Sequence, residues 1–191
     1  MSDHGFHVHG PHDHALEHAA HSDPESFSGR LAVATAILAT VGAIFSYMGG
    51  ATQSSAGLYK NDAAIRKTEA ANQWAYYQSK SSKQNLSELA IELAPEARKA
   101  FYQDEAKRYK AEKAEIQTKA ERLEAESIAF DEKSNQQIHE HHRWAQATTV
   151  LQISIAMAAI ALLTKRKWLV YGVFGLGLAG TALGALAWLH I

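Results

Sequence analysis

The chain contains no cysteine, which excludes disulfide bonds, thiolate metal sites and cysteine nucleophiles. It also lacks the Gly-rich phosphate loop, the HExxH metal motif and the nucleophile elbow that mark common classes of enzyme. Only one of its three prolines, Pro95, lies beyond residue 24. These absences favour a non-enzymatic protein, so we expect no catalytic residues and no dedicated cofactor.

An excess of charge of one sign is also missing. The formal net charge is −1, and between Lys60 and Arg143 the 15 Lys and Arg residues balance 15 Asp and Glu residues. Proteins that bind nucleic acid present a basic face to the phosphate backbone. A balanced chain offers no such face, so we expect no nucleic-acid partner.

Three apolar blocks contain no Asp, Glu, Lys or Arg at all: residues 31–48, 144–164 and 168–189. A helix needs about 20 apolar residues to cross a bilayer, and a charge at its centre costs about 2.5–3.5 kcal/mol. Aromatic residues that favour the headgroup region lie near the block ends, at Tyr47, Trp144, Trp168, Tyr171 and Trp188. The sequence therefore predicts an all-α, multi-pass membrane protein in contact with lipid.

The orientation of the spans follows from the basic turn at residues 165–167, Lys-Arg-Lys. Short basic loops stay in the cytoplasm, whereas long segments follow this rule weakly. We therefore expect a bacterial inner-membrane protein with a cytoplasmic N-terminal tail and an extracytoplasmic polar segment. The expected order is a disordered His-rich tail (1–29), a transmembrane helix (30–48), a polar helical hairpin (49–143), a second transmembrane helix (144–164), the basic turn (165–167) and a third transmembrane helix (168–191).

The polar segment is rich in Ala, Glu, Lys and Gln, which favour helix. Pro95, near its middle, lacks a backbone donor and disfavours helix in the residue before it. One helix should end there and another begin, giving a long antiparallel, coiled-coil-like hairpin with two equal arms. Gly49, Gly50 and Gly57 weaken the start of the first arm and predict a flexible hinge.

A heptad seam runs along the second arm. Its d positions are Tyr102, Tyr109, Ile116, Leu123 and Phe130, and its a positions include Ala106, Lys113, Ala120, Ser127 and Ser134. The predicted heptad of the first arm is Ile65, Asn72, Ser79, Leu86 and Leu93. Because that arm offers polar residues where apolar ones are wanted, we expect the hairpin to form homo-oligomers.

Further interface candidates lie on the first arm and in the spans. Helical spacing places Trp74 and Tyr77 together, either at an interface or in the core between the arms. In the third span, Gly180 and Gly184, and likewise Gly175 and Ala179, form small faces that permit close helix approach, within the chain or between copies. In the second span, hydrogen bonds across an interface are expected from Thr148, Thr149 and Gln152.

The N-terminal tail is the one candidate metal site. It contains His4, His7, His9, His12, His14, His18 and His21, interleaved with acidic residues. Imidazole and carboxylate groups suit Zn, Ni or Cu. The alternative, which we favour, is a low-complexity tail that binds a divalent transition metal only incidentally. His139, His141 and His142 precede the second span and are interpreted as polar residues at the membrane boundary.

One motif carries a family resemblance. The stretch NQWAYYQSKSSKQNL (residues 72–86) follows an apolar block ending in a glycine pair, and KRKW (residues 165–168) joins the last two blocks. With this plan the chain, from about Gly29 onward, resembles a bacterial membrane-protein family, the domain of unknown function numbered four-three-three-seven. The resemblance implies a fold and a membrane location, but no activity; the His-rich tail departs from the family pattern.

We therefore expect a scaffold or assembly protein whose hairpin associates with itself or with a protein partner. One alternative is a metal-handling accessory protein that uses the tail. Another is a small oligomeric pore or transport component, which is disfavoured because the spans carry no charges.

Overall fold

The computed structural model describes residues 27–189, and within that range the chain forms three α-helices and no strand. These are α1 (Phe27–Leu93), α2 (Glu96–Thr164) and α3 (Lys167–Trp188). Each contains a stretch long and apolar enough to cross a membrane. The predictions of an all-helical fold and of three such stretches are confirmed, while the tail histidines lie outside the described residues.

The break between α1 and α2 falls at Ala94 and Pro95, as the proline predicts. The amide of Ala94 still donates to the carbonyl of Ala90 at 2.8 Å, which completes the last turn of α1. The amide of Arg98 donates to the carbonyl of Pro95, also at 2.8 Å. The backbone is therefore hydrogen-bonded up to both sides of a two-residue connection.

The predicted glycine hinge is wrong, because α1 continues through Gly49, Gly50 and Gly57. A glycine inside a helix costs about 0.5–1 kcal/mol relative to alanine. Packing offsets that cost at Gly49, where an added Cβ would lie 3.4 Å from the Cβ of Trp144. The carbonyl oxygen of Gly49 also lies 2.8 Å from Nδ1 of His141. Tertiary contact thus overrides local helix propensity.

The helices divide into two compact units. Residues 27–53 and 138–189 form what we call the apolar unit, and Ser54–Gln137 forms what we call the polar unit. In the apolar unit, the core contains Leu31 from α1, Ala158 and Ala161 from α2, and Val173 from α3. Each helix therefore contributes to a single apolar core.

The small face of α3 packs inside the chain. Gly177, Gly180 and Gly184 are buried. A Cβ added at Gly180 would meet Leu151 of α2 at 2.9 Å, and one added at Gly184 would overlap the ring of Phe45 in α1. The interface predicted at Gly180 and Gly184 therefore lies between helices of one chain, the first of the two uses considered for it.

A buried serine, rather than the expected threonines, forms the polar contact between α2 and α3. The hydroxyl of Ser154 donates to the carbonyl of Val173 at 2.7 Å. Thr148 and Thr149 instead donate to carbonyls of their own helix, while hydrogen bonds from them across an interface between copies stay a prediction. In a helix, a threonine hydroxyl reaches the carbonyl four residues earlier without a partner helix.

Trp144 was expected in the headgroup region at the end of an apolar block, but it is buried in the protein. Its side chain is only 3% exposed. The ring lies 5.3 Å from that of Phe45 and 6.4 Å from that of Trp188, measured between centroids. It is a core residue of the apolar unit. Trp168, Tyr171 and Trp188 remain largely exposed near the ends of α3.

The basic turn is shorter than predicted, because Lys167 already belongs to α3. Lys165 and Arg166 make the connection, and Lys165 has a φ of 53°. This left-handed conformation costs a side-chain-bearing residue about 1–2 kcal/mol. Lys165 therefore lies at a point of the backbone where glycine would be the less strained residue.

Candidate interaction surface

The arms of the polar unit meet along a line of small residues that we call the alanine–serine segment. Its members are Ala56, Ala63 and Ala70 on α1, and Ala120, Ser127 and Ser134 on α2. On both helices they recur every seven residues, and all are buried except Ser127, which is partly buried. Small side chains allow two helix backbones to approach closely.

Two hydrogen bonds join the arms across this segment. The hydroxyl of Ser127 donates to the carbonyl of Ala63 at 2.8 Å. The hydroxyl of Ser134 donates to the carbonyl of Ala56 at 2.9 Å. As the donor moves seven residues forward along α2, the acceptor moves seven residues back along α1. The serines at the a positions of the seam are therefore interhelical polar contacts.

The predicted heptad of the first arm is wrong. Ile65 is 46% exposed, Leu86 65% and Leu93 77%. Asn72 and Ser79 are exposed as well. The contacting line lies two positions earlier in the heptad, where alanine occupies the sites in the first half of the arm. The large apolar residues of the first arm predicted the wrong face of α1, because the closely packed contact with α2 requires small side chains.

The predicted seam of the second arm holds at its centre, where Ile116 and Leu123 are buried. Its aromatic members, Tyr102, Tyr109 and Phe130, are only partly buried. Phe130 stacks on Tyr59 of the same chain, with centroids 6.4 Å apart. These residues therefore support contact between the two arms of one chain.

The other half of the arms forms what we call the tyrosine–lysine segment. The ammonium group of Lys80 pairs with Glu112 at 2.5 Å. It also lies 5.2 Å from the ring centre of Tyr76 and 5.4 Å from that of Tyr109. The hydrogen bond between Lys80 and Glu112 raises the pKa of the lysine and lowers the pKa of the glutamate. A cation held by two aromatic faces and a carboxylate thus joins α1 to α2.

A second cation repeats the arrangement nearby. Nζ of Lys113 lies 4.9 Å from the ring centre of Tyr77. The same group donates to Oε1 of Gln84 at 3.2 Å. Lys113, at an a position of the seam, thus crosses from α2 to two residues of α1.

The predicted Trp74–Tyr77 pair is confirmed as a contact, edge to face, with centroids 5.6 Å apart. The indole Nε1 of Trp74 donates to Oε1 of Glu124 at 2.8 Å. The ring therefore bridges from α1 to α2. It also forms one wall of an open groove.

This groove runs between the arms of the polar unit and has a volume of about 710 Å³. Its α1 side is Lys60, Ala63, Ala64, Lys67, Ala70, Ala71 and Trp74, and its α2 side is Glu124, Ser127, Ile128, Asp131 and Glu132. The α1 rim is thus basic, the α2 rim is acidic, and the floor includes Ala63, Ala70 and Ser127 of the alanine–serine segment. Lys60 and Asp131 form an ion pair across it. We take this charged groove as the candidate interaction surface.

The groove could not be predicted from the sequence before the face of α1 that contacts α2 was known. Lys60 and Lys67 are seven residues apart, as are Glu124 and Asp131. This spacing predicts one basic and one acidic line, each on one helix. Whether the basic line and the acidic line border the same groove depends on the position of the alanine–serine segment, which the sequence did not predict.

Among residues 27–189, no group of three His, Asp or Glu side chains converges as a metal site. The ring of His141 lies 5.8 Å from that of His142, with Nδ1 of His141 turned toward Gly49. The seven tail histidines lie outside the described range, so their metal binding stays a prediction.

One protein-family model matches the chain over residues 27–190, and its description is "Domain of unknown function (DUF4337)". No curated protein and no solved structure matches the chain significantly. The matched range contains both units and all three helices.

Proposed function

For this chain, which belongs to the DUF4337 family, we propose the role of a non-enzymatic, self-associating scaffold of the bacterial inner membrane. The three long apolar stretches support membrane insertion. The contacts between α1 and α2, which pair lower residue numbers with higher ones, support an antiparallel, coiled-coil-like hairpin. The three basic residues 165–167, at the junction of α2 and α3, support a cytoplasmic tail and an extracytoplasmic hairpin.

The single observation that carries the proposal is the groove with one basic and one acidic rim. Its occupant in the proposal is the same groove of a second copy. A twofold axis parallel to the helices places the α1 rim of each copy against the α2 rim of the other, so that lysines face carboxylates at both rims. Such an axis also keeps both copies in the same orientation, as copies in one membrane require.

The apolar part of the groove supplies the rest of the contact. Ile128 is 61% exposed, and Ala64 and Ala71 are exposed beside it. Association of two copies would remove these side chains from water, at about 25 cal/mol for each Å² of apolar surface. The charged rims would fix the register of the two copies more than their affinity.

The two alternatives have less support. Metal handling depends on tail histidines outside the described residues. A pore needs a polar lining, and the spans carry no charges and no polar stripe beyond Thr148, Thr149 and Gln152. A groove that complements itself in charge favours the scaffold over both.

The absence of cysteine allows a direct test by crosslinking. Ala64→Cys and Ile128→Cys variants of the full chain, each with its own affinity tag, are expressed together and oxidised in the membrane. The twofold arrangement places Ala64 of one copy opposite Ile128 of the other, since Ala63 and Ser127 lie at the same level. We expect a mixed disulfide-linked dimer.

An Ile65→Cys variant is the matched control, because Ile65 is exposed and is absent from the groove lining. A dimer formed by Ile65→Cys alone, without the mixed dimer, would place association on another face of α1. Lys67→Glu should reduce the mixed dimer, whereas Lys83→Glu, the same charge change outside the groove, should not. Wild-type chain that is monomeric both in mild detergent and by in-membrane crosslinking contradicts the proposal.

A further inference from the structure

The apolar unit contains a second cleft, whose lining includes two cations. Its volume is about 510 Å³. The lining comes from Phe27, Arg30 and Leu31 in α1, and from Lys167, Val170 and Phe174 in α3. Among residues 27–189, no acidic residue lines it. The cleft therefore combines apolar walls with a purely positive charge.

The apolar walls are fixed by the core. Leu31 is itself a core residue, and Phe27 and Val170 pack against the core cluster. Phe174 is 55% exposed and continues the wall outward. Because three of the four apolar residues are anchored, the cleft is a feature of the folded unit rather than of loose surface side chains.

The two cations have no carboxylate partner within residues 27–189. Two more cations, Lys165 and Arg166, immediately precede Lys167 in the sequence. The first turn of α3 contains no acidic residue, and Arg166 makes no side-chain capping hydrogen bond. Like charges that line one cleft favour an anion that neutralises them.

We propose that this cleft binds the headgroup of an anionic phospholipid, an inference that rests on the membrane location in the proposed function. The guanidinium of Arg30 suits two oxygens of a phosphodiester, and the ammonium of Lys167 supplies a second positive charge. The acyl chain lies along Val170 and Phe174. Basic pockets between transmembrane helices bind anionic headgroups by this combination of contacts.

The apolar walls of the cleft favour a lipid over a soluble anion as its ligand. Inorganic phosphate can satisfy Arg30 and Lys167, but it makes no contact with the apolar side chain of Phe174. A zwitterionic phospholipid covers the wall, yet its own cation competes with the two side chains for the phosphate. Only an anionic lipid uses both the charge and the apolar surface.

The test uses the full chain, stripped of lipid in mild detergent and mixed with phosphatidylglycerol or phosphatidylcholine. Native mass spectrometry then measures retained lipid. We expect phosphatidylglycerol to bind at least about tenfold more tightly, which corresponds to about 1.4 kcal/mol. Arg30→Gln and Lys167→Gln should each remove most of this preference, and Phe174→Ala should weaken binding of both lipids.

Matched controls test the site itself. Lys165→Gln removes the same charge two residues away, at a position that does not line the cleft, and should keep the preference. Leu178→Ala shortens an exposed apolar side chain of α3 outside the cleft and should also keep it. Equal losses in Lys165→Gln and Lys167→Gln would mean diffuse attraction to a basic turn and would overturn the proposal.

Inorganic phosphate and glycerol phosphate form the soluble arms of the experiment. Binding of either with the affinity of phosphatidylglycerol would assign the cleft to a soluble anion and overturn the lipid proposal. Each variant is also checked for extraction with membranes and for the crosslink between residues 64 and 128. Loss of lipid preference with both readouts intact separates failure of the lipid site from failure of the scaffold proposal.

Discussion

The alanine–serine and tyrosine–lysine segments join the same two helices by opposite means. In the first, small side chains bring the backbones close, and serine hydroxyls donate directly to the carbonyls of Ala63 and Ala56. In the second, long cationic and aromatic side chains fill a wider space, with Lys80 between two tyrosine rings and Glu112.

The two segments should differ in how well they accept substitutions. A close backbone contact has no spare volume, so it accepts few residue types at each position. A contact made by the ends of flexible side chains can rearrange when one member changes. We therefore expect the alanine–serine segment to fix how the arms align, and the tyrosine–lysine segment to adapt to that alignment.

The largest expected effect comes from adding volume at one heptad position in each segment. Ala63→Leu should destabilise the fold by about 1–3 kcal/mol, because the buried site cannot expand without moving a helix. Gln84→Leu, three heptads further along the same line, adds little volume and removes one partly buried hydrogen bond from Lys113, so it should cost no more than about 1 kcal/mol. Urea unfolding of the full chain in mild detergent, followed by helical circular dichroism, measures both. Equal effects would remove the distinction between the segments.

A smaller effect is expected from the serine hydroxyls. Ser134→Ala should cost about 1 kcal/mol, because it removes a buried hydrogen bond to the other arm. Ser82→Ala is the control, since Ser82 is exposed and donates to Gln78 of its own helix. Unfolding in urea would again report the difference. Matching values for the two variants would show that the bond to Ala56 contributes nothing beyond an ordinary helix contact.

The smallest effect concerns pH and the tyrosine–lysine segment. Because the pKa of Glu112 is lowered from 4.5 in the folded chain, its contribution is present above that value and is lost as the pH falls through the folded pKa. Lys80, with its pKa raised from 10.5, contributes below that value and loses its contribution as the pH rises through the folded pKa. The exposure of the carboxylate lets solvent screen the pair, so the effect is small.

Glu112→Gln tests this dependence. The stability advantage of the wild type over this variant should shrink as the pH falls from about 7 to about 3, in urea unfolding at each pH. Glu115→Gln, an exposed glutamate on the same helix, serves as the control. A constant difference between wild type and Glu112→Gln across this range would contradict an ion pair in the folded state.

Much of the helical architecture could be predicted from the sequence, because it depends on local or compositional signals. Charge-free blocks indicated the three apolar stretches, and Pro95 located the break between α1 and α2. The centre of the second-arm seam was visible in Ile116 and Leu123, since large apolar residues at heptad spacing are typical of a contact between helices.

The remaining features depend on the distance between helices, which no local pattern encodes. Alanine is common on exposed helix faces, so the line through Ala63 resembled ordinary surface, while the exposed Ile65 and Leu86 resembled a core. Gly49 suggested a hinge because glycine disfavours helix. That prediction failed because Gly49 packs against Trp144, which is distant in the sequence. Ser154 was missed for the same reason, since its acceptor is the carbonyl of Val173 on another helix.

The serine bonds have a consequence for how this chain can change in length. Each step of the pairing is seven residues on both arms, so removing seven residues from each arm would bring every remaining serine opposite an equivalent carbonyl. Removing one residue from a single arm would instead turn each hydroxyl away from its acceptor by about 100° around the helix axis. We therefore expect the arms of relatives to be longer or shorter than these by seven residues, or by a multiple of seven, in both arms together.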